Sequence, residues 1–177
     1  MKTIFLRAFI LVILYLPGQL VRADVAVDER AMKVAYLYNF TLFAQWPSLP
    51  DADFQLCVLG STSLDEELTH LEGKRAQNGL PIAIRRIMSS ASLTGCQVLY
   101  IDEHSRRSLD SVLQQLAETP VLTITDATGF ADQGIMIEMR RQGTRIVFDV
   151  NLAAARRVSL DFSSRLLKLA SYVANRP

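Results

Sequence analysis

A dense hydrophobic pattern occupies residues 28–46. Twelve of the sixteen residues from Ala31 to Trp46 are apolar, more than a helix with a single buried face carries. We therefore predict a helix over 28–46 that is covered on most of its circumference. Asp28 is the expected N-cap and Trp46-Pro47 the expected end, because the residue before proline avoids helical angles.

Short apolar runs separated by turn residues follow this helix. They predict strands at 54–59, 80–87, 97–101 and 121–124. Pro81 places the second of these strands at a sheet edge. We predict one helix after Gly60, with Ser63 and Glu66 at capping-box spacing, and another over 105–117.

Residues 135–150 form the clearest local pattern, with two alternating runs around Gln142-Gly143. A tight turn at these two residues predicts an antiparallel hairpin. The opposed pairs are Met139 with Ile146, Ile137 with Phe148, and Ile135 with Val150. One face of the hairpin is then wholly apolar, and the other face is expected to be solvated.

Two helices are predicted after the hairpin. The first spans 151–157, and the second is capped by Asp161 or Ser159. Its apolar side comprises Phe162, Leu166, Leu169, Ala170 and Val173. Together the elements predict an α/β fold, with a central mixed, mostly parallel sheet flanked by helices on both faces and a C-terminal antiparallel hairpin followed by helices.

The composition fits one globular domain behind an export signal. The 177 residues include 19 Lys+Arg and 18 Asp+Glu, a balance that argues against a dedicated nucleic-acid-binding protein. Residues 1–23 combine a positive start, an apolar run and Val21-Arg22-Ala23, as in a secretory signal peptide. We predict cleavage after Ala23 and export of a single domain, 24–177. An uncleaved N-terminal anchor is the alternative.

Export would allow Cys57 and Cys96 to form a disulfide. Both cysteines lie in apolar, strand-like runs, and the sequence has no Cys-x-x-Cys motif. The pattern favours a structural disulfide over the two alternatives, a redox switch and free thiols.

Motifs for catalysis are missing from the sequence. It has no nucleophile elbow, no dinucleotide-binding glycine motif and no lysine in the turn after Gly60. His70 and His104 have no second ligand at metal-binding spacing, so we predict surface histidines and no metal site. Glu66-Glu67 and Asp102-Glu103 are expected to be helix-start acids rather than a catalytic pair.

Two regions are candidates for protein contact. The basic cluster at the hairpin turn is either a solvated tip or a docking rim, and it comprises Arg140, Arg141 and Arg145. No aromatic residue lies among these arginines, which argues further against nucleic acid. In the first helix, the aromatic residues form either core or a dimer or partner face, and they include Tyr36, Phe40 and Phe43.

Four segments, in order along the chain, resemble the YfiR family of periplasmic proteins. They are Lys33–Phe40 with Trp46-Pro47, Cys57–Gly60, Leu122–Asp126 with Gly129-Phe130, and Asn151 with Ser163–Ala170. The resemblance covers essentially the whole chain after the signal peptide. It implies a small α/β protein that represses a membrane-anchored diguanylate cyclase by binding the cyclase's periplasmic part. In such systems an OmpA-like outer-membrane lipoprotein sequesters the repressor.

The resemblance also implies roles for single residues. Cys57 and Cys96 match the family's first cysteine pair, whereas the places of a second pair found in some members hold Ala131 and Glu138. Redox sensing through a second disulfide is therefore not expected. At the hairpin and the helix after it, the resemblance implies that Ile137, Asp149 and Ala155 contact the partner. Arg140 and Arg145 of the basic cluster at the hairpin turn complete the expected partner-binding residues.

We therefore predict a periplasmic signalling protein without enzymatic activity or a cofactor. It would repress a membrane-bound diguanylate cyclase, lower cyclic di-GMP and so regulate biofilm formation. The alternative is a periplasmic sensor module that binds a small ligand and reports to another membrane receptor, such as a histidine kinase. A hydrolase that uses Asp126 and Asp132 is the third hypothesis, and a homodimer through the first helix is compatible with all three.

Overall fold

The computed structural model describes residues 21–89 and 92–175. Residues 1–20, and with them most of the predicted signal peptide, lie outside the described residues. The strands are β1 (Ala44–Gln45), β2 (Phe54–Leu59), β3 (Ile82–Ile87), β4 (Val98–Ile101), β5 (Leu122–Thr125), β6 (Ile137–Gln142), β7 (Arg145–Asn151), β8 (Asp161–Phe162) and β9 (Tyr172–Ala174).

Seven of these strands form one open sheet in the order β3-β2-β4-β5-β6-β7-β9. Neighbouring strands from β3 to β6 run parallel, β6 and β7 form an antiparallel hairpin, and β9 lies parallel to β7. The predicted mostly parallel mixed sheet is therefore confirmed, and so is the edge position of β3. A separate two-stranded sheet joins β1 to β8.

The α-helices of the described residues are α1 (Val21–Phe43), α2 (Asp65–Leu68), α3 (Leu109–Gln115), α4 (Leu152–Arg157) and α5 (Ser164–Leu169). Asp28 lies inside α1, so the predicted cap at this residue is wrong. The predicted end at Trp46 is also wrong, since Ala44 and Gln45 leave the helix to pair with β8.

Hydrophobic cores lie on both faces of the sheet. Alternate residues of β2 enter different cores, with Leu56 and Val58 on the side of α1 and Cys57 on the side of α3. Since β2 and β4 are buried on both faces, their sequences are almost entirely apolar, with Gln55 as the one polar residue of the two strands. The prediction of helices on both faces is confirmed.

The centre of the α1-side core is aromatic. Phe40 of α1 is fully buried and meets Phe148 of β7 edge-on, with ring centroids 5.1 Å apart. Tyr36 packs on the same phenylalanine at 5.7 Å. These contacts place α1 across β7 and leave the opposite face of the hairpin uncovered by this helix.

The hairpin forms, but two residues out of the predicted register. Ile137 opposes Val150 and Met139 opposes Phe148, so the predicted pairs are wrong. The turn residues are Gly143-Thr144 instead of Gln142-Gly143, and Gly143 has a φ of +62°, which glycine adopts at little cost. Because the shift is two residues, each strand side chain stays on its predicted face.

Several predicted caps and helix lengths are also wrong. The capping box of Ser63 and Glu66 does not form; instead Thr62 and Asp65 accept hydrogen bonds from the backbone N–H groups of Leu64 and Thr62, at 3.2 and 3.3 Å. The predicted helix over 105–117 is α-helical only in α3, after a 3-10 turn at Glu103–Ser108.

The C-terminal helix is shorter than predicted, because the chain leaves it to add a strand to the sheet. Ser163 Oγ caps α5 by accepting from the Leu166 N–H at 3.2 Å, so the expected caps at Asp161 and Ser159 are wrong. Val173, predicted on the helix, pairs with Val150 in β9. The helix predicted over 151–157 is confirmed as α4.

Cys57 and Cys96 form the predicted disulfide, with their Cα atoms 5.8 Å apart. It joins β2 to the segment that leads into β4. Arg85 of β3 supports this segment, since its Nη2 lies 3.1 Å from Cys96 Sγ and donates to the Thr94 carbonyl at 2.6 Å. The disulfide and Arg85 thereby link the middle of β2 and of β3 to the segment before β4.

An ion pair joins α1 to the carboxyl end of β5. Lys33 Nζ lies 2.9 Å from Asp126 Oδ2 and 3.0 Å from Glu29 Oε1. Burial opposes the charged form of Lys33, but the hydrogen bonds and charges of Asp126 and Glu29 outweigh it and raise the pKa of this lysine. The stabilisation is therefore complete below the unfolded-chain pKa of 10.5 and is lost only as the pH rises beyond it.

Phe40→Ala should lower the free energy of unfolding by about 3–5 kcal/mol, because it leaves a cavity against Phe148. Urea denaturation of the purified protein measures this loss. The control is Asn39→Ala, at an exposed position of the same helix, which should change stability by less than about 0.5 kcal/mol. A loss below about 1 kcal/mol for Phe40→Ala would contradict the core position of this ring.

Lys33→Met should cost about 2–3 kcal/mol at pH 7, because the Asp126 carboxylate then lacks its cation in a largely buried place. The double variant Lys33→Met/Asp126→Leu should recover part of this loss, whereas Lys168→Met, at an exposed lysine, should have little effect. Urea unfolding measures all three, and equal stability of wild type and Lys33→Met would show that the pair does not stabilise the fold.

Candidate protein-binding surface

Side chains of β6, β7 and β9 form a row on the face of the sheet opposite α1. In register across the strands, Glu138 faces Asp149 and Asp149 faces Tyr172, while Arg140 faces Val147. We call these five residues the open sheet surface. Tyr172 is exposed, and Arg140, Val147 and Asp149 are half-buried. A second molecule can therefore reach this face.

Arg140 links the three strands of the open sheet surface. Its Nε donates to Asp149 Oδ2 at 3.2 Å, and its Nη2 donates to Ser171 Oγ, just before β9, at 3.1 Å. Asp149 Oδ1 is buried and forms no hydrogen bond with the described residues. The charge of Asp149 is thus balanced by Arg140, while the Oδ1 atom of Asp149 remains available to accept a hydrogen bond.

Glu138 differs from its neighbours because it is buried. Its carboxylate accepts from the Gly129 N–H at 3.1 Å and from the Ala131 N–H at 2.9 Å. The sequence predicted a solvated face here, and this is wrong at Glu138, because the loop 129–134 folds over β6 and supplies amide donors. Ala131 and Glu138, which the family resemblance placed at a missing cysteine pair, are thus in direct contact.

A cleft of about 310 Å³ lies at the end of the open sheet surface. Its walls include Asp132, Asn151 and Ala174 besides Glu138, Asp149 and Tyr172. Asn151 holds one wall by donating to the Ala131 carbonyl at 3.2 Å. The cleft therefore gives the open sheet surface a concave end.

The predicted partner-binding residues divide into two groups. Arg140 and Asp149 lie together on the open sheet surface, and Arg145 is exposed at the start of β7. Ile137 and Ala155 are fully buried in the α1-side core, so they have no surface to offer a partner. Within the described chain these two residues support the surface only through packing.

The aromatic face predicted on α1 is largely occupied within the chain. Phe40 is fully buried, which leaves Tyr36 and Phe43 as its half-buried members. Phe43 also carries the Arg165 guanidinium over its ring, at 5.4 Å from the centroid. Core packing therefore accounts for Phe40. Of the expected dimer or partner face, only the exposed parts of the Tyr36 and Phe43 side chains remain accessible.

The residues considered for catalysis do not converge. Among the described residues no group of three or more metal-ligating side chains is close enough to hold an ion. Asp126 is paired with Lys33, whereas Asp132 is exposed at the cleft of the open sheet surface. His104 contacts Asp102 at 3.3 Å, and His70 contacts Glu67 at the same distance, both at the surface.

Tyr100 was not singled out from the sequence. It is fully buried near the carboxyl end of β4, and its hydroxyl forms no hydrogen bond with the described residues. Burial and the negative charge of Asp126 raise the pKa of Tyr100, so the ring stays neutral. Because its neighbours in β4 are apolar, the sequence does not distinguish Tyr100 from an ordinary core tyrosine.

A larger groove of about 790 Å³ opens at the amino ends of β4 and β5. Trp46, Leu49, Pro50 and Cys96 contribute to its walls, and none of its lining side chains is charged. The indole Nε1 of Trp46 donates to the Gln97 carbonyl at 3.2 Å. The shape and neutrality of this groove suit an uncharged or weakly polar ligand.

The fold and the surface define an α/β domain with an accessible sheet face, and comparison with known proteins narrows the class. Residues 30–171 match the YfiR/HmsC-like family, so the chain belongs to this family. None of the described helices is long and apolar enough to cross a membrane.

Two solved structures are similar to this chain at low sequence identity. A conserved domain protein from Vibrio cholerae O1 biovar El Tor matches with a TM-score of 0.54 and 11% identity over 81% of this chain and 60% of its own. The ABC domain in complex with L-Trp from Streptococcus pneumoniae matches with a TM-score of 0.49 and 13% identity over 68% of this chain and 55% of its own. This chain thus spans less than two thirds of either protein.

Glu138→Gln should destabilise the protein by about 1–3 kcal/mol, because the amide replaces one acceptor oxygen with a donor that faces backbone N–H groups. Hydrogen exchange at Gly129 and Ala131 should accelerate in the same variant. Glu103→Gln, at an exposed carboxylate, is the control. Unchanged exchange at both amides would show that Glu138 does not hold the loop.

Proposed function

We propose that this protein is a periplasmic repressor of a membrane-bound diguanylate cyclase. The observation that carries the proposal is the match of residues 30–171 to the YfiR/HmsC-like family. The repressor would bind the periplasmic part of the cyclase and lower the production of cyclic di-GMP, and so biofilm formation. An OmpA-like outer-membrane lipoprotein would relieve the repression by sequestering it.

The open sheet surface supports a binding role. It offers the paired, half-buried side chains of Arg140 and Asp149 and an exposed tyrosine beside a cleft. Aromatic residues and arginine contribute most to protein interfaces. A repressor of this kind needs only non-covalent binding to its partner, so no side chain of this surface has to react.

Repression then follows from differential affinity. A protein that binds the inactive cyclase more tightly than the active one shifts the population toward the inactive state by that difference. About 2.7 kcal/mol is enough for a hundredfold shift. A competing partner restores cyclase activity by lowering the concentration of free repressor, without any covalent change.

A small-ligand sensor is the second candidate function. It is favoured by the uncharged groove at the amino ends of β4 and β5. In that case a metabolite would raise the melting temperature in a saturable way, and the protein would have no affinity for a cyclase. Thermal-shift screening of the purified protein separates this function from repression.

Deletion of the gene should raise cellular cyclic di-GMP severalfold, and a plasmid copy should restore the original level. Mass spectrometry of nucleotide extracts measures the change. The same deletion in a strain that also lacks the responsible cyclase should have no effect. Unchanged cyclic di-GMP in the single-deletion strain would reject the proposed repression.

A further inference from the structure

The cleft at the end of the open sheet surface differs in charge from the larger groove at the amino ends of β4 and β5. Of the described residues that line the cleft, Asp132, Glu138 and Asp149 are acidic and none is basic. The walls of the larger groove carry no charged side chain. Of these two concavities, the cleft is therefore the one suited to a cation.

The three carboxylates of the cleft are compensated to different degrees. Glu138 is buried and accepts hydrogen bonds from backbone amides of the loop 129–134. Asp149 Oδ2 accepts from Arg140 at 3.2 Å, but Asp149 Oδ1 is buried without a hydrogen bond from the described residues. Asp132 is exposed, and its carboxylate forms no ion pair within the described chain. The cleft thus lacks a donor for Asp149 Oδ1 and a cation for Asp132.

The cation of the open sheet surface is engaged beside the cleft. Arg140 donates from Nε to Asp149 Oδ2 and from Nη2 to Ser171 Oγ, 3.1 Å away, and it does not line the cleft. A charge that compensates Asp132 has therefore to come from outside the described chain. A second molecule that brings a cation with N–H donors would also satisfy the buried acceptor of Asp149, which is costly to leave unpaired.

An exposed aromatic ring forms one wall of the cleft. Tyr172 is 64% exposed and lies in register with Asp149 on the neighbouring strand. The faces of aromatic rings attract cations, and a planar guanidinium stacks on them. A guanidinium in the cleft can therefore lie against this ring while it donates to a carboxylate.

The size and position of the cleft favour a side chain of a protein over a free ligand. Its volume of about 310 Å³ is at the lower limit of the roughly 300–1,000 Å³ that is usual for small-molecule sites. The accessible side chains of Arg140 and Val147 continue the same face of the sheet. A protein that inserts one long side chain into the cleft therefore meets further contact area beside it.

We propose that the cleft receives an arginine side chain from the periplasmic part of the cyclase. The guanidinium would donate to the Asp132 carboxylate and to Asp149 Oδ1, and it would lie against the ring of Tyr172. Its five N–H donors allow one group to serve both carboxylates. The inference rests on the proposed function and specifies which group of the partner the open sheet surface recognises.

The test uses the full chain and the full-length cyclase, in lipid nanodiscs, whose removal cancels the effect of the gene deletion. Asp132→Asn should weaken binding about threefold or more, and Asp132→Arg about tenfold or more, because the reversed charge repels the guanidinium. Tyr172→Leu should weaken binding about fivefold, since leucine keeps an apolar contact but has no aromatic face. Biolayer interferometry measures the dissociation constants.

A matched pair of controls lies at an exposed carboxylate before β2. Asp51→Asn and Asp51→Arg make the same two changes there and should bind within about twofold of wild type. Circular dichroism should show unchanged melting for all four aspartate variants, because both side chains are exposed. Raising the salt concentration should weaken wild type more than Asp132→Asn, since the variant has lost the charge pair.

A charge swap identifies the group that enters the cleft. Each arginine and lysine in the periplasmic part of the cyclase is changed to glutamate in turn. One arginine variant should lose binding to the wild-type protein and regain it with Asp132→Arg. Rescue at a lysine, or at no position, would overturn the proposal.

The failure of this inference is distinguishable from the failure of the proposed function. If wild type binds the cyclase and Asp132→Asn and Asp132→Arg bind equally well, the cleft is not the docking site and the repressor function stands. If wild type does not bind the cyclase, both proposals fail.

A free organic cation is the competing occupant of the cleft. Agmatine carries the same guanidinium without the rest of a protein interface, so it should bind only in the millimolar range. Titration followed by the NMR signals of Asn151 and Tyr172 measures its affinity. Micromolar binding of agmatine that Asp132→Asn abolishes would assign the cleft to a free ligand and overturn the proposal.

Discussion

The packing of α1 across the sheet, centred on Phe40 against Phe148, decides which side of the hairpin is available for binding. Side chains alternate along a strand, so a hairpin that turns Met139 and Phe148 toward α1 must turn Arg140 and Asp149 away from it. The Lys33–Asp126 pair fixes the other half of α1 at the carboxyl end of β5. The alternation of side chains along the hairpin strands therefore determines both the buried core and the candidate binding surface.

Local periodicity predicted the elements whose faces depend only on their own residues. The parallel strands and the two faces of the hairpin are examples, because burial on one or both sides determines which positions are apolar. The Cys57–Cys96 pair was predicted on a different ground, namely that a chain expected to be exported has two cysteines. The hairpin register was missed, because Gln142-Gly143 and Gly143-Thr144 are both plausible turns and only cross-strand packing chooses between them. Strand β9 was missed because Val173 continues the helical spacing of α5 and its pairing with β7 is non-local.

The candidate site was predicted in part for the same reason. Arg140 and Asp149 come together as the alternation requires, whereas the burial of Glu138 depends on a loop from another part of the chain. Ile137 and Ala155 came from family resemblance, and the structure places them beneath the surface. Membership of the YfiR/HmsC-like family is the basis on which we propose a particular kind of partner for this accessible surface.

Photo-crosslinking in living cells tests most directly whether this surface meets a cyclase. Benzoylphenylalanine would replace Tyr172 in one strain and Met88 in another, and mass spectrometry would identify the crosslinked proteins. The account predicts a crosslink from position 172 to the periplasmic part of a membrane-bound diguanylate cyclase, and none from position 88. A cyclase crosslink from position 88 alone, or no cyclase at either position, would contradict it.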